Sequence, residues 1–142
     1  MKERLDLIKR NTIEIINEEI ILELLKKKKN PMIYCGYEPS GDIHLGHLVS
    51  MTKLLDLQKA GFKIKILFAD WHAYLNQKGD WKFIEAESKK WEKEFKAFGL
   101  TDAEFVKGSD IQRNMNYIDD VFNLALKNTI SRGLRSMQTV AR

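Results

Sequence analysis

Tyr34-Cys35-Gly36-Tyr37-Glu38-Pro39-Ser40-Gly41-Asp42-Ile43-His44-Leu45-Gly46-His47 is the stretch whose reading decides the fold. A short apolar run ends in Gly36, a turn follows with Pro39, Ser40 and Gly41, and a long amphipathic stretch opens near His44. That is a strand, a loop and a helix start, the order by which nucleotide-binding α/β folds set a phosphate against helix N–H groups. Two histidines three apart at the mouth of one helix share a face. Imidazole and backbone donors then converge on one small volume, as an anionic, phosphate-bearing substrate requires.

Working outward, Met32 to Tyr37 reads as a strand, apolar and aromatic enough to be buried on both faces. Leu45, Leu48, Val49, Met51, Leu54, Leu55 and Leu57 predict a helix with a wide apolar face, stopped at Gly61 as its C′ residue. Lys63 to Ala69 reads as a second strand, so the three elements form a right-handed βαβ unit with parallel strands. Ala69 to Asn76 reads as a second site loop, which brings His72 to the sheet edge that holds His44 and His47. Asp80 caps a helix whose Trp81, Ile84, Trp91, Phe95 and Phe98 form a core stripe ending at Gly99. Glu104 to Lys107 is a short third strand, followed by a helical stub from Gly108.

Upstream, the isoleucines and leucines between Leu5 and Leu25 recur at helical spacing, with Asn17 as a cap before Glu18 and Glu19. Lys26 to Lys29 suit the helix C-terminus before the Asn30-Pro31 stop, although a lysine run also suits nucleic acid. Downstream, Asn116 with Asp119 has the form of a capping box for a helix through Leu126, and Asn128 starts a last helix to Arg142.

At 142 residues, 44% hydrophobic and 31% charged, the chain is one domain by length and globular by composition. No apolar run approaches the roughly 18 residues of a membrane helix, and the charged N-terminus is no signal peptide. A single cysteine, Cys35, excludes an internal disulfide, and a cytoplasmic protein is expected. The net charge of +4 is modest, but no acid follows Asp120, whereas Lys127, Arg132, Arg135 and Arg142 do. That basic end fits RNA contact or a solvated helix face.

The residues suit three chemistries unequally. A metal site from His44, His47, His72 and Cys35 lacks paired-cysteine spacing and H-E-x-x-H, and alternation turns Cys35 away from Tyr34, so no metal is predicted. Ser40 in P-S-G is no nucleophile elbow and is expected to help cap its turn. Adenylyl transfer fits best, since attack of a carboxylate on an α-phosphate asks for positioned donors. Gly46 between the histidines removes a Cβ from the path of the nucleotide.

Ile43-His44-Leu45-Gly46-His47 resembles the HIGH motif of class I aminoacyl-tRNA synthetases. The wider text, GYEPSGDIHLGH and then LFADWHAYLNQKG, KGSDIQ and SRGLRSM, is similar to the tyrosyl-tRNA synthetases of archaeal and eukaryotic type. The resemblance implies ATP-dependent activation of tyrosine to tyrosyl-adenylate and its transfer to tRNA-Tyr, with Mg2+ accompanying ATP. It makes His44 and His47 catalytic, in an ATP-binding set with Pro39, Ser40, Gly41 and Gly46. It places Tyr34, Gly36, Glu38, Leu67, Ala69, His72 and Gln112 at the tyrosine pocket, with Tyr34 on the substrate phenol. The implied fold is α/β, a Rossmann-like parallel sheet with flanking helices, incomplete, with a helical C-terminal segment. In it, residues 1–30 are a helical lead, 31–113 the first half of the nucleotide-binding domain and 114–142 the start of a helical connecting insertion. The family's Y-x-x-x-Q-x-x-D helix and KMSKS-type loop are not in this text, so the chain reads as an N-terminal fragment, inactive alone, from a homodimeric family. A non-catalytic paralogue that binds RNA or a synthetase partner is the alternative.

Overall fold

The computed structural model describes the backbone of residues 2–140 and the side chains of residues 2–135. The chain divides into two compact units, Met1–Gly108 and Ser109–Arg142, which are described separately.

The first unit runs α1 (Lys2–Lys9), α2 (Glu18–Lys27), β1 (Met32–Tyr37), α3 (Leu45–Lys59), β2 (Lys63–Phe68), α4 (Asp70–Leu75), α5 (Trp81–Ala97) and β3 (Glu104–Lys107). The strands form one parallel sheet in the order β1-β2-β3, with Tyr34 opposite Lys65, Gly36 opposite Leu67, and Ile66 opposite Phe105. A period of two along each strand gives the sheet two unlike faces. Tyr37, Ile64, Ile66 and Phe68 are buried on one face against Met51, Leu54 and Leu57 of α3 and Trp91 and Phe95 of α5. Edge-to-face rings knit this core, with Tyr37 and Phe95 centroids 5.0 Å apart.

On the opposite face Met32 and Tyr34 are exposed, so β1 is not buried on both sides as its composition suggested. The helices that cover the sheet in this unit pack on the Ile66 side, and hydrophobic content alone does not say which face is covered. Gly61 and Gly99 stop α3 and α5 at positive φ, 94° and 116°, as expected for C′ residues. Asp80 caps α5 by accepting from the Phe83 N–H.

The structure departs from the sequence expectations at several further points. The helix expected across Leu5–Leu25 is two helices, because Asn11 and Asn17 adopt left-handed φ of 55° and 58°. Between them the β-branched run Ile13-Glu14-Ile15-Ile16 disfavours helix, and the Thr12 hydroxyl donates back to the Ile8 carbonyl. In that conformation the Asn17 side chain makes no cap hydrogen bond. Residues 69–76, expected as a loop, contain the short helix α4, started by Asp70 accepting from the Trp71 N–H. Ser40 does not cap its turn; it is exposed, and the turn is held instead by Trp91.

The first helix of the N-terminal lead, α1, is fastened to the sheet unit through polar groups. Lys53 on α3 donates to the carbonyls of Leu7, Ile8 and Arg10, the open end of α1. Arg10 forms a two-point hydrogen-bonded pair with Asp56, which is 2% exposed.

In the second unit, α6 (Gly108–Gln112) starts at the unit boundary and is followed by α7 (Met115–Ala125) and α8 (Ile130–Val140). The N-cap of α7 is Asn114, which accepts from the Asn116 N–H. The box expected from Asn116 and Asp119 therefore lies two residues too far on. Thr129, not Asn128, heads α8, its Oγ1 accepting from the Arg132 N–H; the expected end at Arg142 lies outside the described residues. α7 buries no residue, and Phe122, Leu124 and Leu126 are exposed. Among the described residues no helix is long and apolar enough to cross a membrane.

Candidate functional site

The carboxyl ends of β1 and β2 lead directly into the residues with chemistry. His44 is the N-cap of α3, in extended conformation, and its Nδ1 accepts from the Gly46 N–H at 3.2 Å. His47, one turn in, returns the favour: its Nδ1 accepts from the His44 N–H at 3.2 Å. A neutral imidazole whose Nδ1 accepts must carry its proton on Nε2. Both rings therefore present Nε2–H donors, pinned in one tautomer by backbone groups that a helix start leaves unsatisfied.

Burial, and secondly the neighbouring His44, hold the His47 pKa below the ordinary imidazole value. Its ring meets Trp91 edge to face at 4.8 Å. An ideal Cβ at Gly46 would lie 3.0 Å from the His44 ring, so this glycine is fitted to the imidazole as well as to a ligand.

The turn before α3 is fastened from α5. Trp91 Nε1 donates to the Gly41 carbonyl at 2.6 Å, and Lys90 pairs with Asp42. Gly41 has φ 150°, where an L side chain is strained. Pro39 is fully buried beneath the turn. The Tyr37 hydroxyl donates to Ser50 Oγ, which donates to the His47 carbonyl, tying β1 to the first turn of α3.

Beside this donor cluster lies the open sheet face. Tyr34 is 70% exposed there, and nothing lies within 4 Å of where a Gly36 side chain would project. Leu67 is beside Gly36 on the same face, and Ala69 extends the β1–β2 ladder by donating to the Tyr37 carbonyl. Glu38 Oε2 accepts from Asn76 at 3.5 Å and lies 3.7 Å from His72 Nε2, while its Oε1 is buried without a partner among the described residues. Gln112 belongs to the second unit, where its amide lies 3.5 Å from the Tyr117 hydroxyl.

Trp91 and Asn76 join the site without any signal in the spacing of the sequence. Trp91 is a core residue at 1% exposure, and its reach to Gly41 spans 50 residues that no local pattern encodes. Among the described residues no three histidine, cysteine, aspartate or glutamate side chains could together hold a metal ion. Cys35 faces the core side with Ile66 and Phe105, away from Tyr34.

The family described as tRNA synthetases class I (W and Y) matches residues 26–142. The tyrosine--tRNA ligase of Methanococcoides burtonii is 49% identical over 99% of this chain and 45% of its own length. That of Methanocaldococcus jannaschii is 50% identical over 96% of the chain and 44% of its length. The crystal structure of tyrosyl-tRNA synthetase from Archaeoglobus fulgidus complexed with L-tyrosine superposes with a TM-score of 0.91 at 46% identity, covering 99% of this chain and 45% of that one. The chain thus spans somewhat under half the length of the relatives it matches.

Proposed function

Since the chain belongs to the class I tRNA synthetases of the W and Y family, we propose that it carries one half of a site that activates tyrosine with ATP and passes it to tRNA-Tyr. The observation that carries this reading is the reciprocal cap of His44 and His47, which leaves two Nε2–H donors at the start of the helix that follows the strand bearing Tyr34. In activation, a carboxylate oxygen of tyrosine attacks the α-phosphorus of ATP, the bond to the bridging oxygen breaks, and pyrophosphate leaves. Negative charge grows on the phosphoryl oxygens, and His44 and His47 steady it by donation from Nε2. Pro39, Ser40, Gly41 and Gly46 shape the nucleotide approach. Mg2+ would arrive with the triphosphate, because it keeps several of its waters and binds chiefly through substrate phosphates.

Tyr34 would meet the substrate phenol above Gly36 and Leu67, with Ala69, Glu38 and His72 completing this unit's share of the pocket and its rim. A site that hydrogen-bonds a substrate hydroxyl rejects the analogue lacking it, and tyrosine activation is itself the familiar example of that rule. The reading assigns residues 31–113 to the first half of the nucleotide-binding domain, with 1–30 a helical lead and 114–142 the start of a connecting insertion. The exposed Phe122, Leu124 and Leu126 support a second copy as partner, and the cytoplasm is the expected compartment.

The test is tyrosine-dependent exchange of pyrophosphate into ATP by a complete synthetase that carries this half-site, unsubstituted and as His47→Ala. A loss of roughly 10²–10³ is expected, the range for removal of one transition-state donor. Exchange indifferent to the substitution overturns the reading.

A further inference from the structure

Three aromatic rings meet on the surface just beyond β2, in a place the tyrosine and ATP reading leaves unused. Trp71 and Tyr74 of α4 and Trp81 of α5 have ring centroids between 4.9 and 6.0 Å apart. Packing α4 on α5 explains why they touch, but the cluster is not closed over. Tyr74 is 43% exposed and its neighbours Leu75 and Phe83 are 71% and 41% exposed, whereas Trp91 farther along α5 is 1% exposed. Tyr74, Leu75, Gln77 and Gly79 line a depression of about 480 Å3.

Two cations are next to it in sequence, Lys78 between the lining residues Gln77 and Gly79, and Lys82 directly after Trp81. Lys78 and Lys82 are exposed, and neither makes an ion pair among the described residues. The acids nearest in sequence are engaged with backbone, Asp70 accepting from the Trp71 N–H at 2.8 Å and Asp80 from the Phe83 N–H at 2.7 Å. Half-open rings beside uncommitted ammonium groups supply the two interactions that hold single-stranded nucleic acid, base stacking and phosphate neutralisation.

We propose that Trp71, Tyr74 and Trp81, with Lys78 and Lys82, form a stacking platform for single-stranded RNA, specifically the unpaired 3′ end of a tRNA. The identity of that occupant rests on the ligase reading above; the platform does not. Trp81 lies ten residues before Trp91 on α5, about 15 Å at 1.5 Å per residue, and Trp91 touches His47. At roughly 3.4 Å per stacked nucleotide, that is the reach of about four nucleotides. A strand end resting on the platform would therefore extend to the histidines.

The platform is tested with the single-stranded RNA ACCA and a blunt RNA hairpin of equal charge, without tyrosine or ATP, so that failure of exchange and failure of RNA binding are separate results. ACCA is expected to quench tryptophan emission. The quench should shrink in the double variant Trp71→Phe/Trp81→Phe, which keeps ring packing, since the remaining tryptophan, Trp91, is buried. Tyr74→Ala should weaken ACCA binding about ten-fold with unchanged far-ultraviolet dichroism, and Tyr74→Phe should retain it. Lys78→Ala with Lys82→Ala should lower the slope of log affinity against log salt by about 1.4, or roughly 0.7 per phosphate contact on a single strand. Affinity indifferent to Tyr74→Ala, loss in Tyr74→Phe equal to that in Tyr74→Ala, equal binding of the blunt hairpin, or an equal quench by free ATP would each overturn the proposal.

Discussion

The imidazoles of His44 and His47 lie with ring centroids 4.0 Å apart, each held through Nδ1 by a backbone N–H of the same short motif. The nearby His44 adds to burial in disfavouring the charged form of His47, and a neutral His47 is what its cap requires. Protonation would place a hydrogen on Nδ1, the atom that accepts.

This gives the sign of a pH effect. The folded pKa of His47 lies below its ordinary value of 6.5, so the unfolded chain binds the proton more readily than the folded one. The stabilising contribution is fully present above about pH 6.5 and is lost as pH falls through the depressed folded value. An NMR titration of the His47 ring should give a midpoint below 6.5. In His44→Ala it should rise only part of the way back, because burial is the larger cause. A midpoint at or above the ordinary value in the unsubstituted protein would contradict the geometry.

Gly46→Ala separates helix stability from site geometry. Alanine is favoured over glycine inside a helix by about 1 kcal/mol, yet its Cβ would press on the His44 ring at 3.0 Å. The thermal midpoint should hold or rise slightly while pyrophosphate exchange falls at least ~10-fold, the effect of a displaced catalytic group. Lost stability together with unchanged exchange would show that the close approach is relieved elsewhere.

Tyr34→Phe removes a hydroxyl from a side chain that is 70% exposed and has no hydrogen bond within the described chain. Stability should change by less than about 0.5 kcal/mol, as for surface substitutions. Selection between tyrosine and phenylalanine, measured as the ratio of kcat/KM in exchange, should collapse, because the interaction that penalises the missing phenol is gone. A retained ratio would assign selection to other residues.

Much of this arrangement was legible in the sequence because it is local. Strands β1 and β3 have the bounds their apolar runs suggest, and the histidine cap is complete within four residues. The break between α1 and α2 was hidden because the isoleucine periodicity runs straight through two asparagines that take left-handed conformations. The hold of Trp91 on Gly41, and of Asn76 on Glu38, joins residues 50 and 38 apart. Those contacts follow from how α4 and α5 lie on the sheet, which spacing along the chain does not encode. The exposed face of β1 is hidden from the sequence for the same reason, since coverage depends on which side the helices take.

The clasp of α1 on α3 yields a prediction about stability alone. Arg10→Met leaves the Asp56 carboxylate, 2% exposed, without its two-point partner. Breaking a fully buried pair costs about 3–5 kcal/mol; Arg10 is half exposed and Lys53 stays nearby, so a smaller loss is expected after screening. Removing both charges in Arg10→Met/Asp56→Leu leaves no stranded carboxylate and should be less destabilising than Arg10→Met alone. Urea unfolding of the two single variants and the double completes the cycle. Strict additivity would mean that Arg10 contributes through the packing of its aliphatic stem, not through its charge on Asp56.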